Sequence, residues 1–253
     1  MERYQIIFAY DGTHFSGSQR QANNRNVQGI LEDALRKIGW MGKSILLAGR
    51  TDAGVHASGQ VASFDLEWPH STDDLRNALN AGLPPDMAVS TVKPAPVLFH
   101  PRFDAVSRTY RYRLYCQPVR DPLRDRYAWR VWPGLDGDLL NAAAQMLIGT
   151  HDFAAFGTPP RTNGSTVRTV MRSGWHAIGD EWYFDVQANA FLYRMVRRMV
   201  YIQTIVGQGR LRVEKIRNAL EGQEKLPAGL AVPNGLTLVE VAYPPFDNLE
   251  SSL

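Results

Sequence analysis

Two hydrophobic periods take turns along this chain, and the order of those turns is the strongest constraint on its fold. Tyr4, Ile6, Phe8 and Tyr10 recur at every second residue, with Gln5, Ile7 and Ala9 between them. Period two predicts a half-buried strand, closed by the Asp11-Gly12 turn. Phe15–Asn26 is polar and irregular and reads as a surface loop. Val27, Ile30, Leu31, Ala34, Leu35 and Ile38 then recur at the spacing of one helix face. That predicts an amphipathic helix with Asn26 as its N-cap. The apolar run Ile45–Ala48 and the alternating run Val61–Leu66 predict two strands. A helix starting near Thr72 carries Leu75, Ala78 and Leu79 and stops before Pro84-Pro85. Ala88–Lys93 reads as a further strand. The resulting order, β-α-β-β-α-β, packs two helices on one face of a mostly antiparallel sheet. The other face stays open to a ligand, as it does in single-stranded RNA binders.

Pro94–Pro101 is proline-rich and marks a domain boundary, which divides the chain into domains 1–98 and 99–253. The second half repeats the theme. Val106–Tyr115 is a long alternating strand with Tyr110, Tyr112 and Leu114 on one face and Thr109, Arg111, Arg113 and Tyr115 on the other. A helix over Asp138–Ile148 carries Leu139, Leu140, Ala143, Met146 and Leu147. The loop Phe156–Thr166, with Gly157, Pro159, Pro160, Arg161, Asn163 and Gly164, is expected to be mobile. Strands Thr169–Ile178 and Trp182–Ala188 form a hairpin around Gly179-Asp180. A helix over Phe191–Val206, a short helix over Val213–Leu220 and a strand over Leu236–Val241 follow. The expected fold class is α/β of the α+β kind, with two domains of similar element order and no sequence repeat between them.

Composition narrows the classes of function. Of 253 residues, 44% are apolar and 21% charged, which is ordinary for a globular chain and sets disorder aside. A net charge of +3 and a pI of about 9.0 lean toward a polyanionic partner. Cys116 is the single cysteine, so neither an internal disulfide nor a cysteine-rich metal site is expected. His56 is isolated, and His100 and His151 lie in loops, without the spacing that binds zinc. Gly207-Gln208-Gly209 lacks the preceding strand of a nucleotide fingerprint. Met1-Glu2-Arg3-Tyr4-Gln5 has no apolar stretch after its charges, which argues against a secretory signal. No apolar run is long enough to span a membrane. A cytoplasmic protein without metal or cofactor is the expectation.

The stretch Gly49-Arg50-Thr51-Asp52-Ala53-Gly54-Val55-His56-Ala57 sits between two predicted strands. Its glycines allow the backbone to turn with positive φ. A loop aspartate commonly caps its own backbone. Held rigidly beside a cation it is instead a carboxylate kept ionised, and a carboxylate can attack an electrophilic carbon without metal or cofactor. Arg50 shares a face with Asp52 on extended backbone. Tyr110 reads either as core or as a ring that stacks on an extruded base while neighbouring arginines hold phosphates. Leu192, Met195 and Met199 share a face of the expected helix. Arg194, Arg197 and Arg198 spread around it, either as a solvated basic face or with one turned inward to pair with a buried carboxylate, for which Asp52 is a candidate.

The Asp52 string closely resembles the active-site signature of the TruA-type tRNA pseudouridine synthases. Further blocks resemble the same family in the same order: Tyr10-Asp11-Gly12-Thr13 with Phe15-Ser16-Gly17-Ser18-Gln19, Phe99–Phe103, Arg108–Tyr112, Gly149–Phe153, Asn189–Leu192 with Met195–Arg197, and Ala231–Leu236. The resemblance implies two α/β domains sharing a continuous antiparallel sheet with a catalytic cleft between them. It implies a homodimer with a tRNA spanning both subunits, and conversion of uridine to pseudouridine at positions 38, 39 and 40 of the anticodon stem-loop without cofactor. By the same resemblance Asp52 is the catalytic nucleophile, and Arg50 the arginine that helps flip the base. Tyr110 stacks on the target uracil, Arg197 pairs with the aspartate, and Leu192 lies in the apolar wall of the pocket. Arg198 and Tyr201 depart from the family pattern, where asparagine and a small residue are common.

Two other classes compete. A pure RNA-binding module needs no Asp52 and would carry an aromatic ribonucleoprotein motif, which the chain lacks. A glycosidic hydrolase needs two carboxylates, and Asp11 and Asp152 are weaker partners for Asp52. For the synthase, attack at C6 of the base and attack at C1′ of the ribose both remain open. Tyr110 is a candidate for removing the C5 proton by position alone.

Overall fold

A computed structural model describes residues 1–22, 24–159 and 161–246. Pro160 of the expected mobile loop lies outside the described residues, as does the end of the expected second domain. The chain is mixed α/β with ten strands, mostly antiparallel, and five helices among the described residues. It forms two compact units, one from Met1–Val106 with the chain from Leu238 onward, the other from Ser107–Thr237. These units differ from halves of 1–98 and 99–253 in two ways. The change of unit falls after Val106, and the chain returns to the first unit at Leu238.

In the first unit, β1 (Glu2–Tyr10) is followed by α1 (Val27–Lys37), β2 (Leu46–Leu47), β3 (His56–Leu66), α2 (Thr72–Gly82) and β4 (Met87–Pro94). β1 is central. It pairs antiparallel with β3 from Glu2↔Leu66 to Tyr10↔Ala57 and with β4 from Tyr4↔Pro94 to Tyr10↔Met87. The predicted alternation holds on β1, where Tyr4, Ile6, Phe8 and Tyr10 are buried. On β3 it does not. Gln60 and Ser63 are as buried as Val61 and Phe64, so both faces of the strand are covered. Gln60 keeps its amide satisfied by turning it onto the chain ahead of Asp52. The helices begin where their caps predict. Asn26 Oδ1 accepts from Gly29 N–H at 2.8 Å. Ser71 and Asp74 form a reciprocal capping box at the start of α2. Leu31, Leu35, Leu75 and Leu79 carry the apolar faces of both helices into the core.

The second unit contains β5 (Ser107–Cys116), β6 (Trp129–Val131), α3 (Gly137–Gln145), β7 (Gly149–Asp152), β8 (Val167–Ile178), β9 (Glu181–Ala188), α4 (Met195–Gly207) and α5 (Glu214–Leu220). Its strands run β5-β9-β8-β7, all antiparallel, with β6 parallel beside β5. Neither β6 nor β7 was expected, since three or four residues are too few to show a period. Trp175 ties β8 to both long helices of this unit. Its N–H meets Asn141 Oδ1 of α3 at 3.0 Å, and its ring Nε1–H meets Gln203 Oε1 of α4 at 2.8 Å. β10 (Leu236–Ala242) closes the described chain, its larger part lying in the first unit beside β3.

One boundary changes the reading of a candidate residue. α4 starts at Met195, so Leu192 precedes the helix instead of sharing its face. Arg194 adopts a left-handed conformation, φ +63°, and Tyr193 N–H bonds the Thr158 carbonyl at 2.9 Å. That bridge holds the chain extended until the last residue before the helix.

Replacing Asn26 by alanine leaves the first turn of α1 without its acceptor and is expected to cost about 1 kcal/mol. The check is a lower urea midpoint at unchanged denaturant slope.

Candidate active site

Asp52 lies in the connection between β2 and β3 and is half-buried. A tight turn follows it: Val55 N–H bonds the Asp52 carbonyl at 3.2 Å, and Gly54 takes φ +78°. Positive φ at the third residue of such a turn selects glycine. The segment after β1 wraps the loop from outside. Gly54 N–H bonds the Phe15 carbonyl at 3.3 Å. Gly12 passes so close that a Cβ there would stand 2.0 Å from the Val55 oxygen. The Gly12 and Gly54 positions therefore require glycine for different reasons, close approach in one case and backbone handedness in the other.

Two further groups brace this segment. His56 is not isolated in the fold. Its Nδ1 accepts from Gly12 N–H at 2.9 Å and stands 3.1 Å from Asp11 Oδ1. Arg25 forms a bidentate pair with Asp86, both bonds 2.8 Å, while its guanidinium covers the Phe15 ring at 4.1 Å. The Arg25 charge holds the Asp86 carboxyl below the usual carboxylate range. No motif in the sequence marks Arg25 or Asp86 as partners, since they are far apart along the chain and only the fold joins them.

Arg50 does not sit on Asp52 as the sequence allows. It is exposed and makes no hydrogen bond or ion pair among the described residues.

The other candidates belong to the second unit. Tyr110 lies on β5 opposite Val186 and is 8% exposed. Its ring meets Phe191 edge to face at 5.1 Å. Leu192 is buried and its N–H points to Met195 Sδ at 3.4 Å. Gly157 packs on Leu192, Phe156 is buried and Thr158 bridges Tyr193. The start of the loop expected to be mobile is thus bound to the segment carrying Leu192. Arg161, later in that loop, is exposed.

Arg197 is half-buried on α4. Its Nε–H donates to the Ala231 carbonyl at 2.8 Å, and Ala231 N–H returns a bond to the Arg197 carbonyl at 3.2 Å. Tyr112 donates to the neighbouring Val232 carbonyl at 2.8 Å. Burial pushes the Tyr112 phenol well above its ordinary value, and the Arg197 charge opposes that rise. Arg197 is accordingly a turned-inward cation and not part of a solvated stripe. Arg198 and Tyr201 hold the strand of chain that leads to Ala231. Arg198 donates to the Gly229 carbonyl at 2.8 Å and the Leu226 carbonyl at 3.3 Å, and the Tyr201 ring lies against Gly229. Among the described residues no group of three histidine, cysteine or acidic side chains is placed to hold a metal ion. No helix among the described residues is long and apolar enough to cross a membrane.

A family model described as tRNA pseudouridine synthase matches residues 6–104 and 143–244. Among curated relatives, tRNA pseudouridine synthase A of Chloroflexus aurantiacus is 42% identical, covering 97% of this chain and 90% of its own. Those of Syntrophotalea carbinolica and Brevibacillus brevis are each 40% identical, covering 99% and 96% of this chain and 100% of their own.

The Asp86 carboxyl is held below its unfolded value, so its contribution to stability is present above the unfolded carboxylate pKa, about 3.9, and lost as pH falls through the folded value. An Arg25→Met variant should therefore be less stable than the parent at neutral pH, and the gap should close below about pH 4. Urea midpoints across that pH range make the measurement.

Proposed function

The chain belongs to the tRNA pseudouridine synthase family and is an isomerase acting on tRNA, and from that premise we propose that it converts uridine to pseudouridine at positions 38, 39 and 40 of the anticodon stem-loop, with Asp52 as nucleophile and no cofactor. The observation that carries the reading is the setting of Asp52: a half-buried carboxylate in a turn whose backbone is bonded on both sides. The remaining roles follow the family pattern.

The reaction breaks the C1′–N1 bond, rotates the base and closes a C1′–C5 bond. The C5 proton leaves and N1 gains one, so atoms balance without a second substrate. A base inside a stem is stacked and must first be extruded at a cost of a few kcal/mol. On this reading Arg50, which is exposed, meets backbone phosphate as the base leaves and offsets part of that cost. In the second unit Tyr110 supplies a ring for stacking, and Leu192 an apolar wall that keeps water off the reacting carbons. Arg197, its guanidinium oriented by the Ala231 carbonyl, takes on this reading the family role of the cation that pairs with the aspartate. Attack at C6 and attack at C1′ both call for one ionised carboxylate and no metal. The enzyme works on this reading as a homodimer with the tRNA reaching both subunits.

Tritium release from tRNA labelled at uracil C5 tests the assignment. The parent should release tritium from tRNAs whose only labelled uridines are at positions 38, 39 or 40. Asp52→Asn should release none while binding the same tRNA within about twofold. Release by Asp52→Asn would remove the aspartate from the chemistry. For the C5 proton, Tyr110→Phe keeps the ring and deletes the hydroxyl. If that hydroxyl is the base, the single-turnover rate falls about 100-fold with binding unchanged. An undiminished rate assigns the step elsewhere.

A further inference from the structure

The residue before Asp52 is held through every polar group it has. Thr51 N–H donates to Ser18 Oγ at 2.8 Å, and the Thr51 carbonyl accepts from Ser18 N–H at 3.1 Å. The Thr51 hydroxyl lies 2.8 Å from the Tyr10 hydroxyl in a buried contact. Gln60 reaches the same place from β3. Its Nε2 donates to the Gly49 carbonyl at 3.1 Å and to the Tyr10 oxygen at 3.4 Å. Burial pushes the Tyr10 phenol up to about 12, so it keeps its proton over the neutral range. The Tyr10 oxygen accepts from Gln60, and the Tyr10 and Thr51 hydroxyls share one further hydrogen bond.

Two separate stretches of chain thus bond Thr51 directly, the end of β1 through Tyr10 and the following loop through Ser18, and β3 reaches it through Gln60 on the Tyr10 hydroxyl and the Gly49 carbonyl. None of the three is needed to bury apolar surface at Thr51. A valine would fill the same volume as Thr51 without any of the hydroxyl geometry. An aspartate side chain has few torsions of its own, so the backbone that precedes it decides where its carboxylate stands. We propose that Tyr10, Ser18 and Gln60 act through Thr51 as positioning residues, fixing the direction in which the Asp52 carboxylate leaves the loop toward the uridine. The inference rests on the reading of Asp52 as nucleophile. Its physical basis is that reacting groups must be held to within about 0.5 Å and that a displacement of about 1 Å costs on the order of 100-fold in rate.

The experiment compares Thr51→Val, Thr51→Ser, Tyr10→Phe and the Tyr10→Phe/Thr51→Val double variant with Asp52→Asn and the parent. Tritium release is measured in single turnover, and tRNA affinity and melting temperature are measured alongside. Thr51→Val should lose roughly 10- to 100-fold in rate with affinity within about twofold. Thr51→Ser, which keeps the hydroxyl, should stay within about threefold of the parent. Tyr10→Phe breaks the same bond from the other side, so it should match Thr51→Val, and the double variant should be no slower than either. It also carries the test if Thr51→Val does not fold. Parental rates for Thr51→Val and Tyr10→Phe beside an inactive Asp52→Asn overturn the positioning role alone. So do rate losses that multiply in the double variant, and so does a loss shared equally by Thr51→Ser. Turnover by Asp52→Asn overturns the premise, and the positioning role with it.

Discussion

Tyr10 pairs with Ala57 at the end of the β1–β3 ladder, one residue out of the register that runs from Glu2↔Leu66 to Phe8↔Gln60, and that shifted pair fixes where the intervening chain must close. A strand slipped by one residue would turn Tyr10 to the opposite face and carry its hydroxyl away from Thr51. The ladder is set by the buried faces of both strands, with Ile6 opposite Ala62 and Tyr4 opposite Phe64. Apolar burial sets the ladder as far as Phe8, and the irregularity beyond it sets where Tyr10 meets Ala57 at the mouth of the Asp52 loop. The glycines at 12 and 54 then let two backbones meet that side chains would hold apart. Packing, register and local conformation act on one loop at successive scales.

In the second unit the same division of labour is carried by charge and not by turns. Arg197 is the residue around which its neighbours arrange their carbonyls, with Ala231 on its Nε and Val232 held by the Tyr112 hydroxyl. A half-buried guanidinium is costly unless its donors are met. The segment that meets them is itself gripped by Arg198 and Tyr201. The two residues that depart from the family pattern thus have a visible occupation, the support of a chain segment one layer away from the candidate cation.

Legibility in the sequence followed the range of the interaction. Local signals were readable: the Asn26 and Ser71 caps, the β1 alternation, the β8–β9 hairpin at Gly179-Asp180 and the motif around Asp52. Helix and hairpin signatures involve residues a few positions apart, so one stretch contains both partners. The misses were of another kind. α4 was expected from Phe191 because Leu192 lies at helical spacing from Met195 and Met199, yet a bridge to Thr158 holds the chain extended to Tyr193. β3 extends back past the expected run Val61–Leu66 to His56, and Gln60 on that added part is buried with its amide on the Gly49 carbonyl and the Tyr10 oxygen. Arg25 with Asp86, and Thr51 with Tyr10 and Ser18, are pairings that only tertiary structure creates. The site was legible as a list of residue types, and its supports were not.

The return of the chain to the first unit at Leu238 has a consequence for synthesis. On a ribosome the second unit, Ser107–Thr237, is complete as soon as its last residue emerges. The first unit, begun earlier, waits for the whole second unit to be made before β10 can take its place beside β3. During that interval the edge of β3 that β10 will occupy carries only the two-residue β2, and an edge left mostly unpaired is where chains associate wrongly. The half of the protein that holds Asp52 is the first to be made and the last to be finished.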